Sequence, residues 1–331
     1  MSKLEDEVGK NIECISEWKD EIGREAKLLD EKNLVERLKV ERSFIYKFII
    51  ALSIFILFIV ISFIIGGNSV KIYWEIIILA FLFETMDSSA GMGFGTALSP
   101  LLLLLGFTPL QVVPVLLISE TITGLTDAIF DHEFGNVKFS FRPLNETTKV
   151  TFIIAFFGSF SIFLSIFFAY FAIQFPTMII KIYTGILVIS MGIYTLLLTL
   201  LKRIRIEKYN PQRLVIFAAI AGFNKGIGGG GYGPVVTLGE ILSGIYEKSA
   251  TAISSIAEGI VSFIGVLCFF FINYVGIEVD LVLFPSILMG GFFAAILSPY
   301  LTRVIPNKIW KIIIPIYSLG LGLYVLIRLF S

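Results

Sequence analysis

Few side chains in this sequence could build a metal centre or a histidine-based catalytic site. The 331 residues include one histidine, His132, and two cysteines, Cys14 and Cys268, which lie far apart along the chain. Haem and zinc sites draw on clusters of such residues, so we expect no cofactor, no metal and no disulfide framework. No nucleophile–base pair or cofactor motif is evident either, which disfavours a membrane enzyme.

Charge is also scarce beyond residue 43, and the net charge of the chain is zero. The charge balance gives no sign of a nucleic-acid partner, and none is expected. No signal peptide is visible, because the first long apolar run starts only near Phe44. Hydrophobic residues make up 56% of the chain. This share predicts an all-α, polytopic protein of the cytoplasmic (inner) membrane.

The first 43 residues predict a cytosolic amphipathic helix that precedes the membrane region. Its apolar residues recur at a spacing close to 3.6, at Leu4, Val8, Ile12, Ile15, Trp18, Ile22, Ala26 and Leu29. This helix would pack on the membrane domain or on itself, with a regulatory role or a homodimer as the alternative. Residues 44–66 predict one extra transmembrane helix. The basic residues Lys39, Arg42 and Lys47 at its start predict a cytoplasmic N-terminus.

A glycine-rich stretch, GFNKGIGGGGYGP at 222–234, interrupts the apolar sequence. Glycine destabilises a helix by about 1 kcal/mol per residue relative to alanine, so regular structure should stop there. Broken backbone survives within a bilayer only where protein covers it or where it lines a watery cavity. The stretch therefore predicts a functional site inside the membrane.

The glycine stretch has an earlier counterpart. Adding 138 to the numbers of Gly91, Gly93 and Gly95 gives Gly229, Gly231 and Gly233, and adding it to Glu120 gives Glu258. The match continues without a gap, which predicts two copies of one unit, at residues 72–200 and 212–330.

Loop charges predict that the two units are inverted repeats. The loops 131–149, 202–213 and 302–311 carry lysine and arginine and indicate the cytoplasmic side, whereas the connections 174–177 and 273–280 carry neither. Spanning helices are expected at 109–130, 150–173, 177–200, 248–273, 279–300 and 308–330. Residues 72–105 and 212–243 must then each enter and leave on one side. Each unit is thus a glycine-tipped re-entrant helical hairpin plus three spanning helices.

Backbone amides at the two hairpin tips would form an anion site near mid-membrane. Each tip precedes a short helix, whose N-terminus carries about half a positive charge and free N–H donors. The alternative is close helix contact through small residues. The expected substrate-binding residues are Asn224, Lys225, Gly91, Gly93, Gly95, Gly229, Gly231 and Gly233.

Lys225 precedes the second tip, and its counterpart in the first unit is Asp87. A lone charge at this depth costs at least about 3 kcal/mol, so it needs a partner or a ligand. Either Lys225 forms a salt bridge with Asp87 that holds the hairpins together, or it is the counter-charge of an anionic substrate.

Carboxyl groups within the predicted helices could carry protons. Burial favours the uncharged form of a carboxyl group, and proton carriers in transporters are of this kind. Proton coupling is expected at four of them, Asp87, Glu120, Asp127 and Glu258. The alternative is that each carboxyl is a protonated donor that braces hairpin against helix. Glu84 and Glu240 are weaker candidates.

Three segments carry a resemblance to a known family. Residues 222–234, their weaker echo at 91–100 and the segment SATAISS at 249–255 resemble the sulfite exporter TauE/SafE family of membrane permeases. The likeness extends over about residues 70–330, and it implies transport of a sulfur-containing anion such as sulfite, thiosulfate or an organosulfonate. The first unit departs from the pattern, with Asp87-Ser-Ser-Ala where the second has Lys225-Gly-Ile-Gly.

The leading hypothesis is a secondary transporter that moves this small anion together with protons, by alternating access around the hairpin tips. An anion channel on the same scaffold is the alternative, and stoichiometric coupling to protons distinguishes the two. A protein that senses or binds a partner through residues 1–43 is a further alternative. Intact transport after deletion of that helix would weaken it.

Overall fold

Regular structure in this protein is helical. The structure, a computed structural model, describes residues 22–40, 42–66, 71–91, 93–201 and 210–305, and six positions between 316 and 327. In these residues the one exception to helix is an isolated β-bridge between Phe141 and Leu144. The predicted all-α class is confirmed for this part of the chain.

The helices follow in the order α1 (residues 22–31), α2 (Leu34–Leu38), α3 (Arg42–Gly66), α4 (Trp74–Ala90), α5 (Ser99–Leu104), α6 (Pro109–Phe134), α7 (Glu146–Ile166), α8 (Thr177–Leu201), α9 (Pro211–Gly228), α10 (Tyr232–Leu242), α11 (Glu247–Tyr274) and α12 (Phe284–Val304). The π-helical turn Phe94–Leu98 leads into α5, and a second one, Phe167–Ala172, extends α7.

Several of these helices could cross a membrane. Within the described residues, five stretches are long and apolar enough: Leu34–Ile64, Pro109–Phe134, Glu146–Ala172, Glu247–Tyr274 and Phe284–Val304. α6 is mostly buried and lies against α11 and α12, whereas α3 exposes most of its apolar side chains. The chain is therefore a multi-pass membrane protein whose core is built around α6.

Several helix boundaries differ from the prediction: α6 ends at Phe134 rather than 130, α12 ends at Val304 rather than 300, and the starts of α7 and α12 are shifted. α12 begins at Phe284 rather than 279, because Pro285 in its first turn is suited to a helix start. α7 begins at Glu146 rather than 150, because the Asn145 side chain caps it by accepting a hydrogen bond from the Thr148 N–H. Most of the predicted span at 308–330, and residues 1–21 of the amphipathic helix, lie outside the described residues.

Both glycine stretches interrupt a helix. α4 ends at Ala90 and α9 ends at Gly228, and each is followed by a left-handed glycine, Gly91 (φ 70°) and Gly229 (φ 73°). Glycine adopts this conformation without the steric penalty of other residues. The chain then turns into a new helix, α5 in the first case and α10 in the second, and α10 packs against α9.

Within the described residues, helices of the two predicted units correspond along the 138-residue register. Adding 138 to the bounds of α7, 146–166, gives 284–304, the bounds of α12. Adding it to 94–104, the π turn and α5, gives 232–242, the bounds of α10. α4 packs on α12 and α9 packs on α7, while α6 packs on its own counterpart α11. Two copies related by a two-fold axis would exchange contacts in this way.

The α1 helix packs on the connection between α10 and α11. Its residues Ile22, Ala26 and Leu29 are buried. Asp30 forms an ion pair with Lys248 (Oδ1 to Nζ, 2.5 Å) and accepts a hydrogen bond from the Tyr246 hydroxyl. Burial and the adjacent Asp30 carboxylate raise the pKa of the Tyr246 hydroxyl, which therefore remains a donor. The described end of the amphipathic segment thus contacts the membrane domain directly.

Candidate functional site

Lys225 and Asp87 lie at equivalent points of the two broken helices. The Gly229 N–H donates to the Lys225 carbonyl at 2.7 Å, and the Gly91 N–H donates to the Asp87 carbonyl at 2.6 Å. Each charged residue is therefore held one turn before the glycine that ends its helix. The same local backbone carries a cation in one unit and a carboxyl group in the other.

The side chain of Lys225 is enclosed between two glutamates from neighbouring helices. Its Nζ lies 2.5 Å from Glu120 Oε2 on α6 and 2.6 Å from Glu258 Oε1 on α11. Lys225 has 0% exposure, and its Nζ lies 5.6 Å from the centroid of the Tyr232 ring. A buried cation needs such partners. One ammonium group thus binds a carboxylate from each unit.

The salt bridge considered between Lys225 and Asp87 is not formed. In the described residues, the ion pairs of Lys225 are those with Glu120 and Glu258. The ammonium group pairs with the glutamates instead, because α6 and α11 pack together beside the glycine turns. Asp87 still lies close, since carboxylate oxygens of Asp87, Glu120 and Glu258 are within 4.8 Å of one another. A metal could bridge that spacing, but here the Lys225 ammonium supplies the positive charge.

A small polar cavity adjoins these carboxyl groups. Its volume of about 10 Å³ is room for roughly one water molecule. It is lined by Glu84, Asp87, Ser88, Glu120, Thr123, Gly124, Ser255 and Glu258. Glu84, a weaker candidate in the sequence, therefore belongs to the central group, and its Oε1 accepts a hydrogen bond from the Ser88 hydroxyl (3.2 Å). Four carboxyl groups and one lysine meet at this point.

The other predicted carboxyl groups lie farther away. Asp127 is fully buried on α6, two turns beyond Glu120, and does not line the cavity. Glu240 is also buried, and its Oε2 accepts a hydrogen bond from Ser254 at 2.8 Å. Of the four carboxyl groups predicted for proton coupling, three meet at the centre and Asp127 stands apart.

The two glycine turns touch each other through bare backbone. A Cβ atom at Gly95 would collide with the Gly229 carbonyl oxygen, and one at Gly233 would lie 2.6 Å from the Gly91 carbonyl oxygen. A side chain at either position would therefore push the turns apart. This mutual approach explains why both stretches carry glycine at corresponding positions.

Polar contacts also cross between the turns. The Gly231 N–H donates to the Thr96 hydroxyl at 3.0 Å, and the Ser99 hydroxyl donates to the Gly228 carbonyl. The first turn of α10 has no side-chain cap. Its N-terminus is thus held by the first unit through Thr96 at the Gly231 N–H, and among the described residues no side chain caps the N–H groups that follow.

We predict that Gly95→Ala separates the turns and impairs the protein. The added methyl group would also lie 2.7 Å from Glu120 Oε1, and overpacking of this kind costs about 1–3 kcal/mol. The expected result is a lower unfolding temperature in detergent together with reduced transport. Gly320→Ala is the matched control, because a Cβ atom there meets nothing within 4 Å. Wild-type stability of Gly95→Ala would contradict the close approach of the turns.

Two tyrosines that the sequence does not single out hold the second turn. The Tyr183 hydroxyl donates to Asn224 Oδ1, and the Tyr170 hydroxyl donates to the Ile227 carbonyl at 2.6 Å. The Asn224 side-chain nitrogen is buried and makes no hydrogen bond within the part of the chain that the structure describes. Aromatic residues are common in these apolar spans, so no pattern distinguishes the two tyrosines. The contact with Tyr183 holds Asn224 beside the glycine turn, where its side-chain N–H donors stay available.

Comparison with known proteins gives a family match. The family model described as "Sulfite exporter TauE/SafE" matches residues 76–325. The "Probable membrane transporter protein YtnM" of Bacillus subtilis (strain 168) is 30% identical over 171 residues, which cover 49% of this chain and 53% of that protein. The chain thus aligns with about half the length of this curated relative. No solved structure matches the chain. The family match includes both glycine turns, Lys225 and six carboxyl groups, those of Glu84, Asp87, Glu120, Asp127, Glu240 and Glu258.

Proposed function

The chain belongs to the sulfite exporter TauE/SafE family, and on this premise we propose that it is a secondary transporter for a small sulfur-containing anion such as sulfite, thiosulfate or an organosulfonate. The names of the family and of the relative describe an exporter and a membrane transporter, not an enzyme. The observation that carries the proposal is the buried Lys225, bound to Glu120 and Glu258 beside two glycine turns.

We propose that the glycine turns are the tips of two re-entrant hairpins in inverted units. The arms that follow them, 94–104 and 232–242, are eleven residues long, or roughly 16 Å of helix. That length is about half of the roughly 30 Å hydrocarbon core. The contacts between the tips and the exchange of helices between the units support this arrangement. Alternating access would then proceed by movement of one unit against the other around the tips.

The proposed substrate site lies at the tips. Its donors would be the Lys225 ammonium, the Asn224 side-chain nitrogen and the backbone amides of Gly93, Gly95 and Gly233. Gly91, Gly229 and Gly231 would shape the site, since their N–H groups already donate to the Asp87 carbonyl, the Lys225 carbonyl and the Thr96 hydroxyl. The uncapped start of α10 and the unused Asn224 donor support this site, because an oxyanion accepts hydrogen bonds from such groups. A sulfur oxyanion whose conjugate acid has a low pKa stays negatively charged, and the Lys225 ammonium could balance that charge.

The charges around Lys225 support the proposed proton coupling. Two ionised glutamates already neutralise the ammonium group, so an incoming anion would be repelled by the remaining carboxylate charge. Protonation of Glu120 and Glu258 would free Lys225 for the anion, with Asp87 and Asp127 as further proton carriers. Anion binding and proton uptake would then favour each other.

Two further predictions concern orientation and assembly, and one alternative function remains. The basic residues that flank the first span favour a cytoplasmic N-terminus in the cytoplasmic membrane. A homodimer formed through residues 1–43 stays a prediction. An anion channel on the same scaffold is the second candidate function, and the uncapped start of α10 would suit it equally well.

The proposal can be tested with purified protein in proteoliposomes. Binding of sulfite, thiosulfate, methanesulfonate and phosphate is measured first, followed by flux of the anions that bind. We expect the sulfur oxyanions to bind and a pH gradient to drive their accumulation. A channel would instead give flux that follows membrane potential and ignores the pH gradient. Failure of every sulfur anion to bind would remove the substrate assignment.

A further inference from the structure

We infer that protons reach the central carboxyl groups from one end of the molecule only, the Phe134 end of α6, by way of Asp127 and Asp131. This inference rests on the proposed proton coupling and adds its route and its direction. Asp131 is a new residue in the mechanism, and the counterpart route in the second unit is closed.

The residues of the route lie on one face of α6. Glu120, Asp127 and Asp131 are separated by seven and four residues, a spacing that aligns side chains along a helix. Their exposures are 2%, 0% and 1%, so all three are shielded from lipid and solvent. Thr123 lies between Glu120 and Asp127 and lines the central cavity. The face thus leads from the cavity towards the end of the helix.

Asp127 is the residue that needs an explanation. It is fully buried, and among the described residues neither of its carboxylate oxygens accepts a hydrogen bond. The Ser255 hydroxyl, which lines the cavity, lies beside it but donates to the Thr251 carbonyl (3.2 Å). A buried carboxylate without a partner is costly. A carboxyl group that gains and loses a proton as part of a relay would occupy such a position.

Asp131 connects Asp127 to the end of α6. One of its oxygens accepts a hydrogen bond from the Asn136 side-chain nitrogen at 2.7 Å, and the same nitrogen donates to the Pro299 carbonyl at 2.8 Å. The adjacent His132 is exposed. Asp131 thus lies in the last turn of α6, next to the exposed His132, and its own side chain is buried.

The equivalent positions of the second unit cannot relay protons. Adding 138 to Asp127 and Asp131 gives Gly265 and Phe269. Phe269 is buried, and its ring lies 5.0 Å from that of Tyr170. Between Glu258 and the end of α11 the sequence contains no Asp, Glu, His, Lys or Arg. The central carboxyl groups are shared by both units, but the acidic route exists only in the first.

Charged groups on the neighbouring elements leave this route acidic. On the helices that pack against α6 they are Arg213 and Lys225 on α9, Glu247, Lys248 and Glu258 on α11, Arg303 on α12, and Arg42 and Lys47 on α3. Glu84 and Asp87 of α4 lie at the central cavity. Lys47 pairs with Glu133, Lys248 with Asp30 and Lys225 with the central glutamates. The Arg303 guanidinium donates to the Phe134 carbonyl, at the end of the helix.

Asp127→Asn tests the route in proteoliposomes that contain a pH-sensitive dye. Proton uptake and pH-driven anion flux should fall by roughly tenfold or more, because one positioned proton-transfer group contributes about 100-fold or more to a rate. Anion counterflow, which needs no net proton movement, should stay within about twofold. Asp127→Glu should restore proton uptake, and Asp131→Asn should resemble Asp127→Asn. Glu75→Gln, which changes an exposed carboxyl group at the start of α4, should have no effect.

The outcomes separate the route from the proposed function. A wild-type protein that ignores the pH gradient would remove the coupling, and the route with it. A coupled wild type with normal proton uptake in both Asp127→Asn and Asp131→Asn would overturn the route alone. Equal loss of proton uptake and of counterflow would show that Asp127 is only structural, and it would also overturn the inference.

Discussion

Lys225→Met is expected to abolish anion binding and transport while the protein still assembles in the membrane. Methionine keeps most of the volume and the apolar stem of lysine but removes the ammonium group. A hydrogen bond to a charged group contributes up to about 3 kcal/mol, so the loss corresponds to roughly 100-fold in affinity. Glu120 and Glu258 lose their cation, and proton uptake by one or both offers relief from the remaining repulsion.

The matched control for this change is Lys248→Met. Lys248 is also buried and also ion-paired, with Asp30, but it lies at the α10–α11 connection, away from the glycine turns. Anion binding should therefore survive Lys248→Met. Binding is followed by protection of the purified protein against thermal unfolding, and assembly is followed by size-exclusion chromatography.

Two results would contradict the role of Lys225 in binding. Wild-type affinity in Lys225→Met would place the anion elsewhere. A Lys225→Met variant that fails to assemble, while its combination with Glu120→Gln and Glu258→Gln assembles and binds the anion as the wild type does, would indicate that the cation serves only to hold α6, α9 and α11 together.

The glycine turns could be predicted from the sequence because their cause is local. Consecutive glycines at 228–231 disfavour a helix, which ends at Gly228, and a register of 138 residues relates Gly229 to Gly91, where α4 ends. The structure has left-handed glycines at both positions, and the bounds of α7 and α12 follow the same register. Whether the turns are re-entrant in a bilayer stays a prediction, as does the inversion of the units.

The partners of Lys225 could not be predicted, because they depend on how helices rotate and pack. The 138-residue register makes Asp87 the counterpart of Lys225, yet the ammonium group lies against Glu120 and Glu258. A correspondence between copies fixes which positions are related and not which side chains touch. The contact of Tyr183 with Asn224 joins α8 to α9 and leaves no periodic signal in either segment.

Replacing both central glutamates should uncouple the transporter from the pH gradient. Glutamine at positions 120 and 258 keeps the size and the hydrogen-bonding oxygen of glutamate but has no proton to gain or lose at physiological pH. Lys225 would then lack the two carboxylates that compete with an anion. In Glu120→Gln with Glu258→Gln, anion binding should depend less on pH. The ratio of flux with and without a pH gradient should approach one.

Glu75→Gln is the control for this double change. Glu75 is exposed in the first turn of α4 and does not line the central cavity. It should keep the wild-type response. The single variants Glu120→Gln and Glu258→Gln show which glutamate carries the proton. If both share it, each single variant should lose part of the pH response, because the other carboxylate can still neutralise the ammonium group. A double variant that accumulates anion as strongly as the wild type would rule out coupling through these glutamates. Proton entry would then have to act on the anion itself, and the ion pairs around Lys225 would be structural.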